Sequence, residues 1–277
     1  MMPTAPITLL RSAHPGPSIA VSAITGVLGL AAGLDPRQVV LLTLAMFAGQ
    51  LSVGLSNDWI DADRDTAVGR KDKPIALGQV SAATVRTASI AAAIVAVLVT
   101  IPLGWPATVA HVAFIVSAWT YNLGLKSTVF SVVPYIVSFG LLPLIVTLSR
   151  AQPTAASGWA VAAGALLGIA AHFSNVLPDL DDDRATGVRG LPHRVGPRTT
   201  GLGIAGALAG ASASIVLGPG PAAWYLSVGL AVSVVLAMLC AVLVVRGRSS
   251  RLVFRLIIVG AMIDVALLVL SGPRLLG

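Results

Sequence analysis

The sequence predicts an all-α, multi-span membrane protein, and three observations carry that prediction. Of its 277 residues, 56% are hydrophobic and only 10% charged, with a mean hydropathy of +0.90, a balance that a water-soluble domain of this size cannot place on its surface. Uncharged apolar stretches of roughly seventeen residues or more recur along the chain, each able to cross a hydrocarbon core about 30 Å thick at about 1.5 Å per residue. The charges lie between those stretches. In lipid, an open chain satisfies its backbone polar groups only as helix, so the class is all-α.

Nine spans follow in order: Ser18 to Leu34, Val39 to Leu55, Thr84 to Leu103, Ala107 to Leu123, Val129 to Leu148, Gly158 to Leu177, Gly201 to Leu217, Ala222 to Val245 and Leu252 to Leu270. The first follows a Pro-broken segment, Pro15 and Pro17, with no small-residue cleavage site behind it, and is read as retained rather than as a signal peptide. The fifth carries Pro134 and Pro143, expected to kink it. The single cysteine, Cys240, lies within the eighth span as a core residue, so neither a disulfide framework nor a thiolate metal site is expected. The ninth carries Asp264, either the polar lining of a cavity or a hydrogen-bond partner for Ser or Thr on another helix. The whole is expected to be one integral-membrane domain, residues 1–277.

Eighteen Lys and Arg stand against eleven acids, a net charge of +7. No basic run with interleaved aromatics accompanies the excess, so nucleic acid is not an expected partner. The lipid bilayer is. Basic residues stay preferentially on the cytoplasmic side. An inside N-terminus puts all but Arg37, Arg150 and Arg274 on the inner face, and nine spans then put the C-terminus outside the cell membrane.

The chain has no Glu, and nine of its eleven Asp fall in two inner-face segments: Asp58, Asp61, Asp63, Asp65 and Asp72, then Asp179, Asp181, Asp182 and Asp183. If the helix continues through the first, NDWIDADRD, a step of about 100° per residue groups Asp58, Asp61 and Asp65 within about 60° and leaves Asp63 on the far side. The same arithmetic groups Asp179, Asp182 and Asp183, with Asp181 opposite. Carboxylates so placed repel by about 4 kcal/mol per pair at 4 Å and an effective dielectric near 20, so they take up protons or a cation. Oxygen donors without Cys favour Mg²⁺ or Ca²⁺.

The two segments also repeat. At a fixed offset of 118 positions, Asn57 pairs with Asn175, Asp61 with Asp179, Asp63 with Asp181, Asp65 with Asp183, Gly69 with Gly187, Pro74 with Pro192 and Gly78 with Gly196. Residues 57–81 and 175–199 therefore read as a pseudo-repeat placing two half-sites face to face. Two divalent ions beside Arg70, Lys71, Lys73 and Lys126 suit a diphosphate whose lipid tail runs between the spans, and metals on a diphosphate improve it as a leaving group.

These residues resemble a known family. NDWIDADRD, at Asn57 to Asp65, is similar to the NDxxDxxxD signature of the UbiA superfamily of intramembrane prenyltransferases, and Asp179 to Asp183 to its DxxxD signature. YNLGLK, at Tyr121 to Lys126, resembles the family's Tyr/Lys loop between spans four and five, and KPIALGQVS its basic-Pro segment, with Lys73 where many members have Arg. The resemblance implies a Mg²⁺-dependent prenyltransferase moving a polyprenyl group from an allylic prenyl diphosphate to a small, aromatic acceptor, as in quinone biosynthesis. It implies that Asp58, Asp61 and Asp65 hold one Mg²⁺ and Asp179 and Asp183 the other. Asn57, Arg70, Lys73, Tyr121, Lys126, Asn175 and Asp182 then bind substrate.

Other readings stand beside this one. The first cluster matches the start of an EF-hand, but Thr66 and Asp72 occupy the positions that need Gly and Glu. A cation-coupled transporter would place acids near mid-membrane in both halves, and a CDP-alcohol phosphotransferase needs a Gly-Ala-Arg spacing that is absent. A terpene cyclase on the same scaffold would trap the cation internally. His172, one turn before Asn175, is either an acceptor-side base or an interior hydrogen bonder. His14 and His193 read as surface residues, and Tyr121 with Lys126 also reads as an interfacial anchor pair.

Overall fold

A computed structural model describes residues 5–180, 187–220, 223–246 and 251–277; the side chains of residues 5, 6, 179, 251 and 254 lie outside that description. Asp181, Asp182 and Asp183, part of the second acidic segment, therefore fall outside the described residues. All named elements are helical: α1 Ala5–Ser12, α2 Pro15–Ala31, α3 Pro36–Ile60, α4 Ala62–Ala67, α5 Ala82–Thr100, α6 Trp105–Asn122, α7 Val133–Leu148, α8 Gly158–Val176, α9 Leu191–Leu217, α10 Trp224–Val245 and α11 Arg251–Leu270. Each expected span has its helix, and α1 and α4 are short additions.

The starts and stops follow local chemistry. Asp35, one of the two acids away from the clusters, caps α3: its carboxylate accepts from the Gln38 amide at 2.9 Å while the Gln38 side chain accepts from the Asp35 amide at 3.0 Å. Ser81 caps α5 through the Thr84 amide at 3.0 Å. Pro134 sits in the first turn of α7, where its missing amide costs nothing, so only Pro143 lies inside that helix. The helix of the seventh expected span, α9, begins ten residues before the apolar stretch does, because Leu191–Leu217 continues across a kink at Gly196 and Pro197.

Among the described residues, five helices are long and apolar enough to cross a membrane: Pro36–Ile60, Ala82–Leu103, Gly158–Val176, Leu191–Leu217 and Trp224–Val245. Pro15–Ala31 and Val133–Leu148 are shorter apolar helices. The remaining two, α6 and α11, carry His111 and Asn122, and Arg251, Arg255 and Asp264. The outward faces bear exposed Ile94, Leu98, Val116, Val235, Met238 and Met262, a lipid-facing surface rather than a wet one. The chain is a membrane protein.

The long helices close a ring: α2 packs on α3, α3 on α5 and α6, α6 on α7, α7 on α8, α8 on α9, α9 on α10 and α11, and α11 back on α2. Small residues permit the closest crossings. Gly164 and Gly168 of α8 lie where any Cβ would strike the carbonyls of Phe139 and Tyr135 on α7. One buried cluster, including Leu28, Met46, Phe114, Ile145 and Ile215, joins both sides of the ring, and Cys240 belongs to a second cluster among α8 to α11. At one end of the ring the C-terminal residues are clasped, with the Ser157 amide donating to the Leu275 carbonyl at 2.7 Å and Gly272 against Ala31. The polar side chains discussed next lie at the opposite end.

Asp264 is fully buried and accepts hydrogen bonds from the hydroxyls of Ser212 on α9 and of Ser233 on α10, the latter at 3.1 Å. Of its two sequence readings, the hydrogen-bonding one describes these contacts: it joins three helices.

Candidate functional site

The site grows from the end of α3. The helix stops at Ile60 because Asp61 leaves helical geometry (φ −86°, ψ 0°), and α4 resumes one residue later. That break, with the cations around it, sends the carboxylates in two directions. Asp58, 2% exposed, turns toward Lys73 and His14: its Oδ1 lies 2.5 Å from Lys73 Nζ and 3.0 Å from His14 Nε2. Asp61 turns the other way, accepting from Lys126 Nζ on one oxygen and, on the other, from Arg64 at 2.9 Å and Asn57 at 3.1 Å. Asp65 sits 3.6 Å from the same Arg64, and Asp63 points outward, exposed. Asp61 and Asp65 thus share Arg64, and Asp58 and Asp65 both feel Lys73. Among the described residues, no three His, Cys, Asp or Glu side chains converge as a ready metal cage.

The electrostatics are those of charge packed away from water. Burial holds the Asp65 carboxyl above the usual carboxylate range, with Asp61 adding to the effect and Lys73, Arg64 and Arg70 opposing it. Burial likewise lowers Lys126, only 9% exposed, against the pull of Asp61. At the rim, Arg70 donates twice to Asp72, both at 2.8 Å, and holds that carboxyl at about 2.

Asn57 is steadied by Asn122, whose side chain also donates to the Val53 carbonyl at 3.0 Å and the Ser56 hydroxyl at 2.8 Å. Asn122 went unselected in the sequence although it is the second residue of the YNLGLK segment. Tyr121 meets Tyr135 edge-on at 5.2 Å and His172 at 5.6 Å. Tyr135, equally unselected, packs against Tyr121, Phe139 and His172. Nothing in the sequence flagged it, since a lone Tyr in an apolar span reads as packing.

The second half approaches through the Lys126 loop. Gly190, downstream of the second acidic segment, rests against the Lys126 carbonyl and Ser131; the Leu191 amide donates to Ser131 Oγ at 2.9 Å, and that hydroxyl lies 3.0 Å from His172 Nε2. So one short stretch, Lys126 to Ser131, touches Asp61 of the first segment and the chain following the second. The backbone of Asp179 ends a short 3₁₀ turn, Leu177–Asp179, directly after α8. His193 is buried, so its surface reading is corrected, whereas the side chain of His14 is 43% exposed and reaches Asp58 from the surface. Gly69 and Gly187 have φ of +67° and +83°, and Gly78 and Gly196 of +67° and +83°: partners at the 118-residue offset share the left-handed region.

Comparison with known proteins identifies the family and the fold of the chain. The family model described as the UbiA prenyltransferase family matches residues 19–263. No curated protein sequence matches the chain significantly. Among solved structures, a UbiA homologue from Archaeoglobus fulgidus bound to GPP and Mg²⁺ superposes with a TM-score of 0.70 at 13% identity, covering 95% of this chain and 99% of that one. A digeranylgeranylglyceryl phosphate synthase gives 0.72 at 15% identity over 97% and 98%. A UbiA homologue from Aeropyrum pernix K1 gives 0.70 at 19% identity over 92% and 97%. At such identities the structures share the fold.

Proposed function

Because the chain belongs to the UbiA prenyltransferase family, we propose that it moves a polyprenyl group from an allylic prenyl diphosphate to a small aromatic acceptor, of the quinone-pathway kind, with Mg²⁺ assisting. The observation that carries this reading is the pairing of buried Asp58 with Lys73 and of buried Asp61 with Lys126 at one end of the helix ring. A diphosphate needs both charges in one place: carboxylate oxygens for its cation and ammonium groups for its own oxygens. The A. fulgidus homologue, bound to GPP or DMAPP with Mg²⁺, supports the substrate class.

The donor chemistry fits Mg²⁺. It is all oxygen, and Asp58 Oδ2 is buried without a hydrogen-bond partner, a lone pair that a cation would satisfy. Asp58, Asp61 and Asp65 would hold one ion, and Asp179 and Asp183 a second. When bound, Mg²⁺ neutralises diphosphate oxygens and makes diphosphate a better leaving group.

The rest falls to the chain's own side chains. Lys73 and Lys126 hold the anion beside the carboxylates they already touch, and Arg70 joins them by exchanging the exposed Asp72 for diphosphate. Asn57, tied to Asn122, and Asn175 orient the ligands, and Tyr121 and Asp182 bind substrate. The apolar interior keeps water from the allylic cation until the acceptor attacks.

The same reading takes residues 1–277 as one domain in which all nine long helices cross the membrane, with the N-terminus cytoplasmic and the C-terminus outside. Arg64, Arg70, Lys71, Lys73, Lys126, Arg189 and Arg194 at the site end, against Arg37, Arg150 and Arg274 near the clasped end, support that orientation.

The test is Asp61→Ala and Asp179→Ala in purified, reconstituted protein supplied with geranyl diphosphate, Mg²⁺ and candidate aromatic acceptors. Transfer should fall about a hundredfold or more while membrane insertion persists. Full activity of either variant refutes the site, and a hydrocarbon released from prenyl diphosphate alone would replace the transferase by a cyclase.

A further inference from the structure

The turn between α1 and α2 brings onto the first acidic segment a residue to which no role has been given. His14 adopts φ +51° and ψ +65°, the one positive φ at a non-glycine position among the described residues. Such a conformation is uncommon outside glycine, although histidine is among the residues that take it more often, and here the surroundings hold it. The constraint is visible. Gly54 of α3 leaves room for the Ala13 carbonyl where any Cβ would stand, and the Ser18 hydroxyl donates to the carbonyls of Ala13 and His14, each at 3.2 Å. Ala13 is buried with Leu55 and Val85, and Leu9, Trp59 and Ile75 pack around them.

Gly54 lies one helical turn before Asp58, so clamping the turn there delivers the imidazole to Asp58. His14 Nε2 stands 3.0 Å from Asp58 Oδ1 and 3.0 Å from Lys73 Nζ, and Lys73 Nζ stands 2.5 Å from the same Oδ1. Both basic groups therefore occupy one edge of the carboxylate. The other oxygen, Oδ2, is buried and has no partner.

We propose that His14 is a positioning residue: it keeps Lys73 gathered on the Oδ1 edge of Asp58, reserving Oδ2 for the divalent cation that accompanies a prenyl diphosphate. This rests on the functional reading above and adds the N-terminal turn to the site. In this role His14 acts through Asp58 and Lys73, which it contacts, as outer partners of metal ligands do.

The experiment is calorimetric titration of geranyl diphosphate into the full-length protein in detergent, across a series of Mg²⁺ concentrations, for His14→Ala, His14→Gly and His14→Gln. The Ala and Gly variants should each weaken Mg²⁺-dependent binding about tenfold and raise the Mg²⁺ concentration for half-saturation. The Gly variant should melt no lower than wild type, since glycine takes this turn without strain. Glutamine, whose amide reaches where Nε2 stood, should recover most of the affinity. Wild-type binding by the Gly variant at every Mg²⁺ concentration overturns the proposal, as does a loss that glutamine leaves uncorrected. Asp61→Asn separates the two levels: if it binds like wild type, the site itself fails and His14 with it. If it loses binding while the His14 variants keep theirs, only the role of His14 falls.

Discussion

Replacing Gly190 by alanine should lift the chain after the second acidic segment off the Lys126 loop. The backbone at Gly190 (φ −66°, ψ −179°) is one that any residue adopts, so the effect is steric alone. A Cβ there would stand 2.6 Å from the Lys126 carbonyl oxygen, 2.8 Å from Ser131 Oγ and 3.1 Å from Ser131 Cβ. Overpacking of this kind costs about 1–3 kcal/mol. Relieving it by retreat withdraws the Leu191 amide from Ser131 Oγ, a hydrogen bond whose net worth is about 1 kcal/mol. A net penalty of about 2 kcal/mol lowers the docking equilibrium constant roughly 30-fold. Mg²⁺-dependent binding of geranyl diphosphate should fall by a comparable factor, with melting curves reporting that the ring stays folded. Gly206→Ala, at an α9 position with open space around it, is the matched control and should bind normally. If Gly190→Ala melts and binds as wild type does, the close approach between the halves has no bearing on function and the reasoning is wrong.

Two further expectations concern acids. Asp264→Asn keeps an oxygen for Ser212 and Ser233 and should hold stability within about 1 kcal/mol with transfer intact, whereas Asp264→Ala strands both hydroxyls and should cost about 2 kcal/mol; transfer lost in the Asn variant at unchanged melting temperature would instead place Asp264 against substrate. Arg70 lowers the Asp72 carboxyl from 3.8 to about 2, so the pair's contribution is complete above pH 3.8 and disappears as the pH falls through about 2. The pair is exposed, so it is worth less than about 1 kcal/mol, and Asp72→Asn should remove only that acid-sensitive portion. Melting temperatures from pH 5 to pH 2 read it out, and a wild-type advantage that grows above pH 5 contradicts the assignment.

Much of the architecture was legible because lipid leaves the chain few choices: a predominantly apolar run of the right length is a helix, and each of the nine runs falls on one. The first acidic segment was legible for a similar reason, since Asp58, Asp61 and Asp65 recur on one helical face where burial otherwise forbids them. Partners across helices were not. Whether Asp61 meets Lys126, 65 residues away, or Asp264 meets Ser212 and Ser233 depends on the rotation and depth of each helix, which the ring sets collectively. His14 escaped because its role depends on a left-handed turn that only the fit of Ala13 against Gly54 enforces. Asn122 and Tyr135 escaped because a single polar group in an apolar span has the same signature whether it steadies a neighbour or fills space. The pairing of Asp58 with Lys73 and of Asp61 with Lys126 depends on cations drawn from loops that periodicity does not see.

The glycine pairs Gly69 with Gly187 and Gly78 with Gly196, all left-handed, have a consequence for how this chain tolerates change. No Cβ would collide with anything at any of the four, so crowding is not what reserves them; handedness is. In a saturation library, Gly69, Gly78 and Gly187 should accept asparagine better than alanine or valine, since a short amide side chain tolerates positive φ where branched ones do not, whereas Gly196, with ψ at 167°, should accept glycine alone. Two matched troughs in such a profile, equally spaced from their respective acidic segments, would be the imprint of one ancestral bend used twice.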